Sequence, residues 1–243
     1  MTTIRAACHV HSEWSYDGSW TLEELAEEFS GRGYQALMVT EHDRGFHEAR
    51  RREHREACRR ASNDRILVVP GIEYSDPTNT IHLLTWGNIP FIGADVDSDK
   101  TLAAVQAAGG IAVFAHPTRR NAWKQFKPEW KDKLLGIELW NRKTDGWAPS
   151  TEGRQLLETT GLAPFVGMDF HTSKQFFPLA TVLNVAGQVS EASVLAAIKA
   201  RQFHSEALSK PVEALGEGPK LKALQTAEFM RRGAAAVYRR AFA

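Results

Sequence analysis

The sequence predicts an α/β fold in which a barrel of strands, or a distorted relative of a barrel, is surrounded by helices. Short apolar runs rich in β-branched or aromatic residues predict the strands, and segments with helical periodicity separate them. Because strands that alternate with helices are joined by crossover connections, we expect a parallel sheet. Seven or eight strands in a chain of 243 residues favour a barrel over a small open sheet.

The predicted strands are spread over the first four-fifths of the chain. In order, they cover residues 4–11, 36–43, 66–73, 81–87, 111–117, 136–141, 164–171 and 180–185. Capping residues mark the helices between them: residues 21–31 begin with Thr21 as N-cap, carry Glu24 three residues later and end at Gly31. Residues 99–110 and 190–203 repeat the pattern of a polar cap before an apolar stripe.

The composition changes at residue 207, which sets the expected domain boundaries. Residues 1–206 form the predicted barrel, and residues 207–219, "ALSKPVEALGEGP", are interpreted as a linker. Residues 220–243 predict an amphipathic helix, which would pack either on the barrel or on a second subunit. Packing on a second subunit would make a homo-oligomer.

Composition and cysteine usage are typical of an ordinary globular protein of a reducing compartment. The net charge of +1 provides no electrostatic argument for binding to nucleic acid or a membrane. The arginine-rich stretch 44–60 interleaves glutamates at helical spacing, which favours a solvated helix. Cys8 and Cys58 need not be paired, and neither a signal-peptide core nor a membrane-spanning run is present, so we expect a cytoplasmic protein.

Metal-ligand side chains gather in or beside the predicted strands. They are His9, His11, Glu41, His42, Glu73, His82, His116, Glu138, Asp169 and His171. Each histidine alone could be a satisfied core residue. However, the C-terminal ends of barrel strands converge on one face, so the set as a whole predicts a metal site. Because a strand has a period of two, His9 and His11 should point the same way, and Cys8 should point the other way as a buried hydrophobic residue.

The types of ligand narrow the choice of metal. Imidazoles and carboxylates without thiolates suit Zn, Mn or Fe, and the candidates outnumber the ligands that one catalytic ion takes. We therefore expect two or three divalent ions. Ions spaced by about 4 Å can clamp a phosphoryl group and lower the pKa of a water between them, which is the chemistry of phosphoester hydrolysis.

Six short motifs, in this order, resemble the PHP (polymerase and histidinol phosphatase) family of metal-dependent phosphoesterases. They are "HVHSEWSYDG", "TEHD", "GIE", "IHLL", "AHP" and "GMDFH", and the resemblance covers roughly residues 4–206. It implies a distorted (β/α)7 TIM-like barrel with a trinuclear metal centre at the C-terminal ends of the strands.

The resemblance also implies a ligand set for three ions. The ligands to the first ion would be His9, His11, Glu73 and Asp169. Glu73 would bridge to a second ion held by His82 and His116, and the third would be bound by Asp17, His42 and His171. One motif departs from the family pattern: the usual Asp-His-Asp is Glu41-His42-Asp43 here. Because the family's ligand is the histidine, the change falls on a contact around the ligand.

The expected reaction is hydrolysis of a phosphate mono- or diester by a metal-activated hydroxide at a di- or trinuclear centre. Asp169, His171 and Glu73 are the candidate catalytic residues. Arg119, Arg44 and Lys174 each follow a ligand residue into a loop and are candidates for binding phosphate, with a solvated surface cation as the alternative. A small phosphorylated molecule or a short oligonucleotide would be the substrate.

Two other functions remain open at this point. Amidohydrolases also begin with His-x-His on the first barrel strand and use a binuclear centre to hydrolyse C–N or C–O bonds. The bridging Glu73 and the pair Asp169 and His171 do not match that group. The second alternative is a non-catalytic PHP module that binds metal for assembly, which the complete ligand set disfavours.

Overall fold

Strands and helices alternate along most of the chain in the computed structural model, which describes residues 1–215 and 218–242. The strands are β1 Thr2–Val10, β2 Ala36–Val39, β3 Glu41–His42, β4 Leu67–Val69, β5 Gly71–Ser75, β6 His82–Trp86, β7 Ile111–Phe114, β8 Gly136–Asn141, β9 Ala163–Gly167, β10 Leu179–Val185, β11 Phe203–Ala207 and β12 Lys210–Pro211. The helices are α1 Leu22–Gly31, α2 Glu48–Ala61, α3 Ser98–Ala107, α4 Arg142–Asp145, α5 Thr151–Thr160, α6 Glu191–Lys199, α7 Val212–Leu215 and α8 Gly218–Phe242.

The strands form two six-stranded sheets, in the orders β12-β11-β10-β1-β2-β4 and β3-β5-β6-β7-β8-β9. The α/β prediction is confirmed, but the expectation of a parallel sheet is wrong in part. Strand β1 is parallel to β2 and antiparallel to β10, and β6 is antiparallel to both of its neighbours. Only residues 76–81 separate β5 from β6, which is too short for the crossover that a parallel pair needs.

The two sheets meet along two seams. On one side the chain passes directly from β2 to β3 through Thr40 and from β4 to β5 through Pro70. On the other side, an isolated bridge joins Val10 to Phe170, and the backbone N–H of His11 donates to the Phe170 carbonyl at 2.9 Å. The ladders of the described residues divide into two sheets and no closed barrel is detected in them, so the (β/α)7 barrel stays a prediction.

Alternate residues of β1 face two different apolar clusters. Ala6 and Cys8 pack between the sheets with Met38 and Trp86. Ala7 faces the other way, into the cluster that covers α1 and α2. This alternation is the period of two expected for a strand. The cluster that contains Cys8 includes residues of both sheets, so one apolar core lies between them.

The C-terminal segment continues the first sheet before it becomes helical. Strand β11 pairs with β10, and the segment interpreted as a linker holds β12 and α7, in which Val212 is buried. On α8, Glu228 accepts a hydrogen bond from the Trp147 backbone N–H at 2.9 Å. Residue 243 of the predicted C-terminal helix lies outside the described residues. Among the described residues, no helix combines the length and the apolar character needed to span a membrane.

Candidate metal centre

Three candidate ligands adopt a left-handed backbone conformation. His9 has a φ of 59°, His116 of 26° and Asp169 of 50°. A positive φ is uncommon outside glycine, and each such residue costs about 1–3 kcal/mol. All three lie where a strand reaches the same end of the fold, so the surrounding contacts hold the backbone in a conformation that aims these side chains.

A β-bulge at His9 explains how β1 delivers both of its histidines to one place. Cys8 pairs with Met38 and Val10 with Val39, so His9 is the extra residue. Before the bulge Ala7 faces the α1 cluster, and after it Val10 does. The bulge therefore moves His9 and His11 to the interior side that Cys8 also faces. The expectation that Cys8 and His9 lie on opposite faces is wrong for this reason, although Cys8 is buried as predicted and is not part of a disulfide.

The carboxylate of Glu73 lies at the centre of five imidazoles. Its Oε1 is 2.6 Å from Nδ1 of His82 and 3.0 Å from Nε2 of His116. Its Oε2 lies 3.1 Å from a ring nitrogen of His42, 3.4 Å from one of His11 and 3.5 Å from one of His9. The two oxygens thus face different groups of ligands, which is the arrangement a carboxylate needs to bridge two ions.

Asp17 reaches the centre from the loop after β1. Its Oδ1 lies 3.3 Å from Nε2 of His42, and its Oδ2 lies 3.1 Å from Nε2 of His171. Burial lowers the pKa of His42, but its hydrogen bonds with Asp17 and Glu73 outweigh that effect and raise it to about 10. Asp17, His42 and His171 are therefore in mutual contact.

All nine predicted metal ligands come together at this end of the fold. Ligand atoms of these residues form three groups, and within each group the atoms lie no more than 4.8 Å apart. The groups are His9, His11 and Asp169; His9, Glu73 and His116; and His11, His42 and His171. The first group lies within the set expected for the first ion. The other two differ from the expected sets by including His9 and His11.

Unpartnered polar atoms point to cations at this centre. His9 Nε2, His11 Nε2 and His116 Nδ1 are buried and have no hydrogen-bond partner within the described structure. Buried polar atoms in proteins are nearly always satisfied, so these need partners that a divalent ion provides. Burial opposes charge on Glu73, yet the neighbouring His82 and His9 hold its pKa well below the usual range, so the carboxylate is ionised. The donor set of imidazoles and carboxylates fits Zn, Mn or Fe.

Glu138 orients two of the ligands. Its Oε1 accepts a hydrogen bond from Nδ1 of His9 at 2.8 Å, and its Oε2 accepts one from the His116 backbone N–H at 2.8 Å. With Nδ1 engaged, Nε2 of His9 faces the centre. The sequence marks Glu138 as a carboxylate at a strand end, and only the structure shows that it supports ligands.

Glu41 plays a comparable part for His11 through a serine. The hydroxyl of Ser15 donates to Glu41 Oε2 at 2.6 Å, so its oxygen accepts the hydrogen bond from Nδ1 of His11 at 3.1 Å. This order assigns the proton to Nδ1 and leaves Nε2 free to bind metal. Burial and the neighbouring His42 lower the pKa of His11, which keeps the ring in the neutral form that binds metal. The replacement of the family's usual aspartate by Glu41 thus affects a contact that supports His11, and not a ligand itself.

A cavity of about 80 Å³ opens over the candidate ligands. It is lined by Tyr16, Asp17, His42, Glu73, Asn79, His82, His116, Arg119, Lys143 and Asp169. Of the three predicted phosphate-binding residues, Arg119 lines this cavity. Arg44 instead pairs with Asp95 at 3.0 Å, and Lys174 is exposed on the short helix Ser173–Gln175, so neither lines the cavity in the described part of the chain.

Lys143 is a cavity residue that the sequence did not single out. It lies on α4, directly after β8, and its Nζ is 3.2 Å from Oδ1 of Asp169. The signal that the sequence offered is the position of Lys143, two residues beyond the strand that carries Glu138. Tyr16, whose ring stacks on His42 with centroids 4.9 Å apart, was also missed.

Comparison with known proteins adds structural neighbours but no sequence relatives. No protein-family model matches the chain, and no curated protein sequence matches it either. The fold, by contrast, is similar to that of several solved structures.

A two-domain protein from Bacteroides vulgatus, described as containing a predicted PHP-like metal-dependent phosphoesterase, has a TM-score of 0.66 at 18% identity and covers 85% of this chain. PsfC from Pseudomonas syringae has a TM-score of 0.62 at 15% identity, over 96% of this chain and 100% of its own. The lesion-specific endonuclease Q from Pyrococcus furiosus has a TM-score of 0.59 at 14% identity, over 82% of this chain. This chain spans 65% of the Bacteroides protein and 56% of endonuclease Q.

These neighbours define the class of fold. The resemblance to PHP-like metal-dependent phosphoesterases that the motifs indicate is confirmed at the level of the fold. An amidohydrolase from Chromobacterium violaceum is also similar, with a TM-score of 0.51 at 16% identity, over 90% of this chain and 96% of its own. The chain therefore has a mixed α/β, PHP-like fold that brings clustered histidines and carboxylates to one end.

Proposed function

We propose that the protein is a metal-dependent hydrolase of phosphate mono- or diesters with two or three divalent ions. One observation carries this proposal: the ionised, buried carboxylate of Glu73 lies among imidazoles on both of its oxygens. These are His9, His11, His42, His82 and His116. A buried charge is retained when it is paired or coordinates metal, and this one has ring nitrogens on every side.

The ligand assignment follows the contacts of the described residues. Glu73 would bridge two ions, with His9, His11 and Asp169 completing one site and His82 and His116 the other. Asp17, His42 and His171 would hold a third ion. Divalent ions bound there supply positive charge to the phosphoryl oxygens and lower the pKa of water.

In the proposed reaction a water oxygen forms a bond to phosphorus as the ester P–O bond breaks. The leaving oxygen takes up a proton, and the products are an alcohol and a phosphate with one ester bond fewer. Asp169 lines the cavity; burial raises its pKa, but His9 and Lys143 outweigh burial and hold it at about 2. The carboxylate is therefore ionised at neutral pH, which is the form that binds a cation or accepts a proton.

Arg119 provides the positive charge for substrate binding. Its guanidinium donates to the Asn79 carbonyl at 2.8 Å and forms no ion pair with a carboxylate among residues 1–215 and 218–242. An unpaired arginine at the wall of the cavity favours an anionic substrate. This charge argues for phosphoesters over the neutral amides and lactones of amidohydrolases. Endonuclease Q, which has a similar fold, was solved in complex with a 27-mer duplex substrate. The proposed class of substrates therefore includes the phosphodiesters of nucleotides.

Elemental analysis and ester hydrolysis test the proposal together. Protein purified without chelator should contain about two or three Mn, Fe or Zn ions per chain, and should hydrolyse p-nitrophenyl phosphate or its bis ester. Chelator treatment should abolish the activity, and adding back metal should restore it. A folded protein that binds no metal, or a metal-loaded one that cleaves only lactones or amides, contradicts the proposal.

A further inference from the structure

We infer that the substrate is a phosphate monoester, and that Lys143 sets this preference together with Arg119 by pairing with the second negative charge of the phosphoryl group. The inference rests on the proposed function and narrows its substrate class. The cavity, the two cations that line it and the contacts of each cation carry the argument.

The cavity has room for a phosphoryl group but not for a whole organic ligand. Its volume of about 80 Å³ is well below the roughly 300–1,000 Å³ of pockets that enclose drug-sized molecules. A monoester enters with three free oxygens and leaves its single organic group outside. A diester must pass two organic groups through the same mouth, which Tyr16 partly lines.

The two cations approach from different parts of the wall. Arg119 lies beside His82, with Nη1 3.1 Å from its Nε2, whereas Lys143 lies beside Asp169 and His171. A phosphoryl group between them would have one cation on each side. At neutral pH the phosphoryl group of a monoester carries close to two negative charges, because its second pKa is about 6, and a diester carries one.

Lys143 is available to the substrate when Asp169 binds metal. The Oδ1 atom that Lys143 contacts at 3.2 Å is the same atom that lies 3.8 Å from Nε2 of His9 and 3.7 Å from that of His11. A cation held by these three groups would compete with the ammonium for Oδ1 and would repel it. The lysine side chain is 41% exposed at the mouth, so it is free to turn toward a phosphoryl oxygen.

The reaction for this class is balanced with water as the only co-reactant. A water oxygen bonds to phosphorus and the bond between phosphorus and the alcohol oxygen breaks. One water proton remains on the phosphate, and the other reaches the leaving oxygen, so the products are an alcohol and inorganic phosphate.

A matched pair of esters tests the inference in the metal-loaded protein. The values of kcat/KM for p-nitrophenyl phosphate and bis-p-nitrophenyl phosphate compare a dianion with a monoanion that has the same leaving group. We expect the wild type to prefer the monoester. Lys143→Met should lower kcat/KM for the monoester about 10- to 100-fold, the factor that corresponds to one charge-assisted hydrogen bond, and for the diester less than about 3-fold.

Two further measurements separate a role in substrate binding from a structural role. The affinity for inorganic phosphate, measured by calorimetry, should fall in Lys143→Met by a factor similar to that for the monoester, and Lys143→Arg should retain most of it. The metal content of both variants should equal that of the wild type. The control is Lys131→Gln, at an exposed lysine outside the cavity, which should change none of these values.

Each contrary outcome has a distinct meaning. A wild type that prefers the diester, or equal losses on both esters in Lys143→Met, overturns the inference and leaves phosphoester hydrolysis intact. Loss of metal from Lys143→Met also overturns it, since Lys143 would then support Asp169. Hydrolysis of neither ester by the metal-loaded wild type overturns the proposed function itself.

Discussion

Nδ1 of His9 lies 2.8 Å from Oε1 of Glu138, and both side chains are fully buried. The same carboxylate accepts a hydrogen bond from the backbone N–H of His116 and another from the Asn141 side chain at 3.0 Å. A single glutamate on β8 therefore orients candidate ligands delivered by β1 and β7. This contact holds Nε2 of His9 toward Glu73, so we expect Glu138 to influence metal affinity.

Glu138→Gln should weaken metal binding about 10- to 100-fold with little change in the fold. The amide keeps the size of the carboxylate, but its NH2 group meets donors that the carboxylate accepts from. Competition with a chelator measures the affinity, and Glu129→Gln, at an exposed position, is the control. Equal affinities in Glu138→Gln and the wild type would show that this contact does not support the centre.

Gly167→Ala should disturb the same contact from the neighbouring strand. A Cβ at Gly167 would lie 1.7 Å from Glu138 Oε1 and 2.9 Å from the Cβ of His9, so the carboxylate must move. We expect a loss of about 1–3 kcal/mol in the free energy of unfolding, typical of overpacking, and reduced metal content. Gly31→Ala is the control, because no atom lies within 4 Å of a Cβ there. Wild-type stability and metal content in Gly167→Ala would contradict the close packing.

His116→Ala should abolish turnover and lower metal content while the fold is retained. Its Nε2 is 3.0 Å from Glu73 and its Nδ1 lacks a partner within the described structure, so the ring serves the centre rather than the core. The loss of activity should exceed the 10- to 100-fold that removal of a supporting contact causes. His204→Ala changes an exposed histidine and should behave as wild type. Full activity in His116→Ala would remove this residue from the ligand set.

Burial of Asp145 beside the candidate centre should make the stability of the protein depend on pH. Burial raises its pKa to about 7, against the hydrogen bonds from Asn141 and Thr118. An unfolded aspartate titrates near pH 4, so between about pH 4 and pH 7 the folded state binds more protons, and stability falls as pH rises through this window. Asp145→Asn removes this dependence.

The free energy of unfolding of Asp145→Asn relative to wild type should therefore increase by about 2–3 kcal/mol from pH 5 to pH 8. Urea denaturation of the chelator-treated proteins at both pH values measures the difference. Asp132→Asn, at an exposed position, should show no such change relative to wild type. A pH-independent difference for Asp145→Asn would contradict the raised pKa.

The sequence by itself determined which candidate metal ligands meet at one end of the fold. Strand ends that carry His9, His42, Glu73, His116 and Asp169 could be read from short apolar runs, because the C-terminal ends of strands in such folds share one face. The order of the motifs indicated the PHP-like fold, and even Asp17 reaches the site as the motif "SYDG" suggested.

Tertiary structure alone decided how these residues are arranged. A strand pattern has a fixed period of two, so it could not reveal the bulge that turns His9 to the side of Cys8. The antiparallel pairing of β6 with β7 and the approach of Lys143 to Asp169 join residues that are distant in the chain. Such contacts form only when distant segments assemble into a sheet, and local periodicity carries no information about them.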